Sequence, residues 1–442
     1  MRNWKAIEEE ATEMLVRLIR KNTVNPPGNE MDLIREIEDI AKREGLFVRI
    51  FPTSANRGNI MVSMDPSFEA DLIFLSHLDV VGVDKKRWKH DPFAGIVEDG
   101  MIWGRGALDT KQLTVMQLMT MILLKRDGWQ GDNIVLLATA DEEMGSEYGL
   151  KHFLSNEVYS FKDKDVLSEG GGFPIVINDK IIYLCECGQK GNGHIKIWFE
   201  KKQGENPYYH THTQLLACAK LIQKIGNEDW ETPIPSNTRK LISHLYTSCG
   251  GEAGGNIIEE LDLIQDFSDK SMMKLFTAMT KNTFAITRFK GYQKMRKEVC
   301  SFEIDVRTLP GVSQEMLQEK IEGWIAGTEA KAEILRFQSG FESDSASGLF
   351  ASFEKSIQSF LPQADLMPFV SVGGSDGRHL QEGKTRVYGF SPTLVPETFE
   401  RVVPMVHGDN ERISKASLAF GIQVIFNATL QFLQADDKSI RG

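Results

Sequence analysis

Short, mostly apolar segments alternate with amphipathic helices over the first 160 residues, and no other feature of the sequence constrains the fold as strongly. Apolar residues recur at helical spacing in Trp4–Arg20 and Met31–Arg43, whereas Leu72–Ser76 and Asn133–Thr139 are continuous apolar runs with turn residues around them. Such runs are typical of strands that are buried on both faces of a parallel sheet. The pattern therefore predicts an α/β domain with a mainly parallel sheet.

The middle of the chain has the pattern of a smaller α+β module. Alternating polarity predicts half-buried strands such as Cys300–Val306, with amphipathic helices between them. The α/β pattern resumes beyond this module. We therefore predict a discontinuous domain made of residues 1–187 and 341–442, interrupted by an inserted module of residues 188–340. Within the insertion, residues 227–281 have an irregular helical pattern that indicates no particular function.

Charge and cysteine content exclude several classes of function. The 442 residues include 51 Lys and Arg against 62 Asp and Glu, a net charge of −11. Nucleic-acid binding normally needs a basic excess, so no nucleic-acid partner is expected. The apolar runs Ile134–Ala140 and Met116–Leu124 are much shorter than the ~20 residues that span a bilayer, so no membrane partner is expected. The N-terminal residues lack the apolar run of a signal peptide, and five cysteines favour free thiols, so we expect a cytoplasmic protein.

Histidines and carboxylates follow the predicted strands where each strand ends, or lie in the loops beside them. The residues are His77, Asp79, Asp109, Glu142, Glu143, Glu169 and His407. Taken alone, Asp109 is better explained as a helix N-cap, His77 as a hydrogen-bonded loop residue, and the glutamate pair as acids favoured by a helix dipole. Ligands bind beyond the carboxyl ends of strands in open α/β sheets. At such an edge, two histidines and three carboxylates suffice to hold two zinc-class ions, with one glutamate to spare.

Six motifs in this order resemble the M20 family of zinc metallopeptidases. They are Ser76-His77-Leu78-Asp79, Gly104–Lys111, Asp141-Glu142-Glu143, Glu169-Gly170-Gly171, Gly373–His379 and His407–Glu411. The resemblance covers residues 71–191 and 297–433. The family includes glutamate carboxypeptidases, aminoacylases, succinyl-diaminopimelate desuccinylases and carnosine dipeptidases.

The resemblance implies a fold, a metal content and a role for each site residue. The fold is an α/β, phosphorylase/hydrolase-like zinc-exopeptidase catalytic domain with an inserted α+β (ferredoxin-like) lid domain, through which members often form a homodimer. The cofactor is two Zn2+, for which Co2+ or Mn2+ can substitute. The implied metal ligands are His77 and Glu169 for one ion, Glu143 and His407 for the other, and Asp109 as the bridge. Glu142 is implied to be the general base, and Asp79 to orient the His77 ring through its N–H group.

The sequence departs from the family pattern in the lid. Glu205 stands where the family usually carries a histidine that stabilises the oxyanion, and an anionic side chain cannot donate a hydrogen bond there. His210 and His212 are the nearby candidates to replace that histidine. Lys294 begins the segment that stands where a substrate-contacting asparagine is usual.

Two arginines are candidates for binding a substrate carboxylate, because a guanidinium group holds a carboxylate through two parallel hydrogen bonds. The family pattern suggests Arg307 and Arg378. For Arg307, an ion pair with Asp305 or Glu303 at the end of its strand is the alternative explanation.

These observations predict a zinc-dependent hydrolase of amide or peptide bonds in small substrates, either an exopeptidase or an N-acyl-amino-acid deacylase. The expected partner is a small-molecule substrate, with a homodimer formed through the lid as a further expectation. The alternative is a catalytically impaired, metal-bearing binding or regulatory protein of M20 type with a diverged lid, because Glu205 and Lys294 depart from the pattern.

Overall fold

The computed structural model describes residues 2–156, 159–199, 214–252, 254–264, 270–294 and 297–440. The strands are β1 (Phe47–Pro52), β2 (Gly58–Ser63), β3 (Leu72–His77), β4 (Ile96–Glu98), β5 (Met101–Trp103), β6 (Ile134–Thr139), β7 (Asp165–Ser168), β8 (Pro174–Ile177), β9 (Lys180–Gln189), β10 (Gly191–Phe199), β11 (Thr283–Lys294), β12 (Lys297–Thr308), β13 (Ala330–Gln338), β14 (Phe341–Glu342), β15 (Asp365–Ser371), β16 (Arg386–Gly389) and β17 (Arg412–Ser414). The helices are α1 (Trp4–Ile19), α2 (Met31–Arg43), α3 (Lys111–Arg126), α4 (Leu150–Asn156), α5 (Gln214–Gly226), α6 (Ser236–Ser248), α7 (Ile257–Ile264), α8 (Lys270–Met279), α9 (Gln314–Ile325), α10 (Gly348–Phe360), α11 (Phe399–Val402) and α12 (Lys415–Ile440).

Ten strands of the described residues form one large sheet, in the order β1-β2-β6-β3-β7-β16-β9-β14, with β8 and β15 also paired to β9. The four central strands β6, β3, β7 and β16 are parallel. Every residue of β3 and β6 is buried, as expected for strands covered on both faces. The carboxyl ends of these strands therefore share one edge of the sheet, and the predicted α/β class is confirmed.

Helix α12 packs against α1, α3 and α10 in the core of the large domain. Its segment Lys415–Gln434 is long and apolar enough to cross a membrane by length and composition, but 72% of that stretch is buried inside the fold. A helix that is covered by neighbours on most sides needs an apolar surface all round. Packing within the core therefore accounts for the composition of α12.

Strands β10 to β13 form a separate four-stranded antiparallel sheet, which we call the lid sheet. With α5 and α9 its strands follow the β-α-β-β-α-β order of a ferredoxin-like unit, in agreement with the predicted lid. Alternate residues of a strand point to opposite faces. On one face Ile195 and Ile197 pack in a core with Leu221 of α5 and Leu317 of α9. Lys196, which lies between these two residues, points to the other face of the lid sheet.

The expectation of free thiols is wrong for one pair of cysteines. Cys218 of α5 and Cys300 of β12 form a disulfide bond, whereas Cys185, Cys187 and Cys249 are free. The two bonded residues are 82 positions apart in sequence, so no local spacing signals the pair. They meet because α5 packs across β12 in the lid core.

Helices α6, α7 and α8 belong by sequence to the insertion but pack against the large domain. Helix α6 contacts β15 and α7, and its Leu245 is part of the main apolar core. The first turn of α6 is capped by Glu342, whose carboxylate accepts a hydrogen bond from the Asn237 N–H group at 2.6 Å. Beyond α8, the Lys190 ammonium group donates to the Lys281 carbonyl at 2.7 Å. The three helices are thereby attached to both chain segments that connect the large sheet to the lid.

Candidate metal centre

Three neighbouring strands deliver polar side chains to the same edge of the large sheet. His77 is the last residue of β3, the pair Glu142 and Glu143 follows β6, and Glu169 follows β7. Asp141 turns the chain out of β6 with a φ of +66°, a left-handed conformation that Asp adopts more readily than most residues. This turn starts the short 3-10 helix that carries the two glutamates.

Two groups of side chains converge at this edge and have Asp109 in common. The first contains His77, whose Nε2 lies 3.0 Å from Asp109 Oδ1 and 3.3 Å from Glu169 Oε2. The second contains His407, whose Nε2 lies 3.0 Å from both Asp109 Oδ2 and Glu143 Oε2. The structure thus brings together all five side chains for which the sequence predicts metal binding.

The donor set fits a pair of metal ions. Histidine nitrogens and carboxylate oxygens are ligand types that zinc accepts, and Asp109 directs one oxygen to each group, as a bridging carboxylate does. Glu143 Oε1 is buried and has no hydrogen-bond partner among the described residues, which leaves a strong acceptor unused. Hydrogen bonds to Asp109 and Glu143 raise the pKa of His407 to about 10, because the surrounding carboxylates favour a positive charge.

Asp79 organises the loop that carries the two glutamates. Its buried carboxylate accepts hydrogen bonds from the backbone N–H groups of Glu142 at 3.0 Å and Glu143 at 3.2 Å. Asn25 donates to the same carboxylate at 2.8 Å. The His77 Nδ1 atom lies 3.0 Å from the Asp79 backbone carbonyl and 3.6 Å from its carboxylate. The backbone of Asp79 therefore orients the ring more directly than the side chain to which the sequence analysis gave that role.

Replacing Asp79 by Asn should weaken zinc binding about 10- to 100-fold. In the variant, an NH2 group replaces one of the two Asp79 oxygens that accept hydrogen bonds from backbone N–H groups. The loop that carries Glu143 therefore loses its anchor. Competition with a fluorescent zinc chelator measures the change. Asp84→Asn is the matched control, because Asp84 caps an exposed turn and Asn caps equally well. Equal zinc affinity in the two variants would refute a positioning role for Asp79.

Glu142 lies beside the two ligand groups without belonging to either. Its carboxylate is 3.4 Å from the guanidinium group of Arg378, and its side chain is 10% exposed. Burial, and then the charge of Glu169, raise the pKa of Glu142 well above its usual value. A raised pKa suits a carboxylate that takes up a proton and returns it near neutral pH.

The loop that presents Asp109 is held by Glu411, for which the sequence analysis gave no role of its own. The buried Glu411 carboxylate accepts hydrogen bonds from the backbone N–H groups of Leu108 at 2.6 Å and Asp109 at 3.0 Å. It also forms a buried ion pair with Arg105 at 2.6 Å. Because Glu411 follows His407 closely in the chain, one carboxylate connects the loops that carry two of the ligands. Its position in the last family motif was the one signal available in the sequence.

A cleft of about 880 Å³ connects the ligand groups with the lid. Glu143 and His407 contribute to its lining, and so do both predicted carboxylate-binding residues, Arg307 and Arg378. The ion pair offered as the alternative explanation for Arg307 is present, because its Nε atom donates to Asp305 at 2.8 Å. Arg307 also lines the cleft, and its binding of a substrate carboxylate stays a prediction.

Two further cations line the cleft, and the sequence analysis did not single them out. They are Lys151 of α4 and Arg336 of β13. Lys151 pairs with Glu147 at 2.8 Å in an exposed ion pair. Nothing local in the sequence marks either residue, because the cleft forms between elements that are far apart in the chain.

The other lid residues that the sequence singles out lie outside the described residues or directly beside a gap in them. Glu205, His210 and His212 are outside the described residues. Lys294 is the last residue of β11. The predicted substrate-binding role of His210 therefore stays a prediction.

Comparison with known proteins shows the family to which this chain belongs. A sequence profile described as Peptidase family M20/M25/M40 matches residues 73–431. The human N-fatty-acyl-amino acid synthase/hydrolase PM20D1 is 23% identical over 386 residues, which cover 82% of this chain and 74% of that protein. The succinyl-diaminopimelate desuccinylase of Blochmanniella floridana is 26% identical over 273 residues, 58% of this chain and 68% of that protein.

Solved structures share the fold. The M20 family metallo-carboxypeptidase Sso-CP2 from Sulfolobus solfataricus has a TM-score of 0.65 and 15% identity, with 98% of this chain and 100% of that chain covered. The Bacillus subtilis YXEP protein, a dinuclear metal binding peptidase from the M20 family, has a TM-score of 0.59 and 13% identity, with 97% and 99% covered. The chain belongs to the M20 peptidase family and is a metallohydrolase of peptide or amide bonds.

Proposed function

We propose that this M20 hydrolase holds two zinc ions and cleaves one amide bond in N-acyl amino acids or short peptides, with release of an amino acid. The observation that carries the proposal is the pair of ligand groups that share Asp109, with the carboxylate of Glu142 beside them. His77 and Glu169 would hold one ion, and Glu143 and His407 the other.

The side chains around the centre have separable tasks in this reaction. When bound, zinc lowers the pKa of a water molecule and polarises the amide carbonyl. Glu142 accepts the proton of the attacking water and later donates it to the leaving nitrogen. Asp79 and Glu411 hold the loops that carry Glu143 and Asp109. Arg378, whose guanidinium group lies 3.4 Å from Glu142, would bind a substrate carboxylate near the reacting bond.

The names of similar proteins support small substrates. The relatives described above are an N-fatty-acyl-amino acid synthase/hydrolase and a desuccinylase. Proteins of the same fold include the di-peptidase Dug1p of Saccharomyces cerevisiae and a tripeptidase of Staphylococcus aureus. We infer a substrate of comparable size for this chain. Cytoplasmic location and a lid-mediated homodimer stay predictions.

Metal content tests the proposal directly. We expect about two zinc ions per chain by plasma mass spectrometry on protein purified without chelator, and loss of both in Asp109→Ala because the bridge contributes to both groups. Asp409→Asn is the control, since this half-buried residue near His407 pairs with the exposed Arg87. Absence of metal after zinc is added back would refute the proposed centre. Two zinc ions without hydrolysis of any dipeptide or N-acyl amino acid would favour the metal-bearing binding protein.

A further inference from the structure

Residues 373–379 form the loop that carries Arg378, and we call this segment the Arg378 loop. Its anchor on the large domain is Gln189, the last residue of β9, whose side chain is buried. Gln189 accepts a hydrogen bond from the Ser375 N–H group at 3.0 Å and donates to the Ser375 hydroxyl group at 2.6 Å. The first part of the Arg378 loop is therefore fixed to the large sheet.

The second anchor of the Arg378 loop belongs to the lid. Gln338, the last residue of β13, donates to the Arg378 carbonyl at 3.1 Å and contacts His379 Nδ1 at 3.1 Å. A carbonyl only accepts hydrogen bonds, so the NH2 end of the Gln338 amide must face it, and the same group then donates to His379 Nδ1. Burial, and then the charge of Arg378, lower the pKa of His379 to about 4, so the ring is neutral at pH 7 and can accept this bond. Gln338 thus spends both of its amide N–H groups on a loop of the large domain.

The Arg378 side chain depends on this loop for its position. In the described part of the chain its guanidinium group has one polar partner, the Glu142 carboxylate at 3.4 Å, and its buried Nε atom has none. The loop backbone lies close to the guanidinium group, since a Cβ atom added to Gly374 would be 2.5 Å from Nη1. A shift of the loop would therefore move the guanidinium group relative to Glu142.

Gln338 lies beside the crossing point of two strand connections between the lid and the large domain. Two residues further on, a Cβ atom added to Gly340 would lie 2.6 Å from the Gln189 carbonyl oxygen and 2.7 Å from the Gly191 nitrogen. The two connections therefore touch through their backbones. Rotation of the lid about this crossing displaces a nearby group much less than the far end of the lid, so the hydrogen bonds of Gln338 can persist while the Arg378 loop follows the rotation.

We propose that Gln338 is a positioning residue for hydrolysis: through its two hydrogen bonds, the orientation of the lid sets the position of Arg378 beside Glu142. The inference rests on the proposed function, which makes Glu142 the base. Because Gln338 acts through Arg378, its removal should matter little once Arg378 is replaced. A purely structural role of Gln338 predicts instead that the two substitutions have independent effects.

A double-mutant cycle of Gln338→Met and Arg378→Gln tests the proposal. Methionine is similar to glutamine in length but donates no hydrogen bond. We expect Gln338→Met to lower kcat/KM about 10- to 100-fold, as a misplacement of about 1 Å can do, and to act on the same parameter, kcat or KM, as Arg378→Gln. In the Arg378→Gln background it should lower kcat/KM by less than about 3-fold more. Equal losses in the two backgrounds would overturn the proposal.

Hydrogen exchange followed by mass spectrometry tests the same contact without turnover. In zinc-loaded protein, we expect the amides of residues 373–380 to exchange at least about 10-fold faster in Gln338→Met than in the wild type. The reason is that the Arg378 carbonyl and the His379 ring lose their partner on the lid, so the loop opens more easily. Unchanged exchange in these residues would overturn the proposal.

Gln318→Met is the matched control for both measurements. Gln318 is an exposed glutamine of the lid helix α9 and donates to Glu322 of the same helix at 2.8 Å, so kcat/KM and exchange of residues 373–380 should stay as in the wild type. The same changes in this control as in Gln338→Met would overturn the proposal. Absence of hydrolysis of any dipeptide or N-acyl amino acid by the wild type would instead overturn the proposed function.

Discussion

Replacing Glu142 by Gln should lower kcat by about 10²- to 10⁴-fold, the range over which general acid–base catalysis contributes. The amide is close to the carboxylate in size but cannot take a proton from the attacking water. Glu142 belongs to neither ligand group, so zinc content should stay unchanged. Initial rates on N-acyl amino acids, together with metal analysis of the same sample, measure both quantities.

Glu147→Gln is the control for this experiment. It changes a glutamate of the same chain segment whose side chain is 72% exposed and pairs only with Lys151 among the described residues, so kcat should change little. Full kcat in Glu142→Gln would show that another group moves the proton. Loss of zinc along with activity would instead make Glu142 a residue that shapes the metal groups.

The edge of the sheet where the metal ligands meet could be predicted from local patterns in the sequence, whereas the role of each ligand came from the resemblance of six motifs to the M20 family. His77 and Glu169 each follow a short apolar run, and the carboxyl ends of neighbouring parallel strands meet at one edge. The glycine-rich and acidic motifs that resemble the M20 family then indicated which of the remaining histidines and carboxylates are ligands. The same reasoning predicted the lid, because alternating polarity marks a sheet with one covered face.

Features that depend on long-range packing could not be found in this way. Cys218 and Cys300 meet through the packing of α5 on β12, and helices α6 to α8 dock on the large domain rather than on the lid. Arg336 faces the cleft only because the lid folds over the large sheet. Each of these contacts joins segments that are far apart in the chain. The local sequence pattern of either segment gives no sign of its partner.

Glu411 is the long-range contact with the largest expected energetic effect. We expect Glu411→Gln to lower the free energy of unfolding by about 3–5 kcal/mol, because the substitution leaves Arg105 buried without a counter-charge. The backbone N–H groups of Leu108 and Asp109 lose an anionic acceptor at the same time. Urea unfolding followed by circular dichroism measures the loss of stability, and zinc affinity should fall as well, since the loop that presents Asp109 is no longer fixed.

A surface ion pair that lies two residues from Glu411 in the chain serves as the control. It distinguishes the effect of burying a charge from the effect of removing one. Asp409 pairs with Arg87 at 2.7 Å, and the Arg87 side chain is 69% exposed; Asp409→Asn should therefore cost less than about 1 kcal/mol. Arg105→Met combined with Glu411→Gln should recover part of the lost stability, because no unpaired charge then remains buried. If Glu411→Gln costs no more than Asp409→Asn, the buried pair does not anchor the Asp109 loop. If stability falls but zinc affinity does not, Glu411 supports the fold without positioning the bridging ligand.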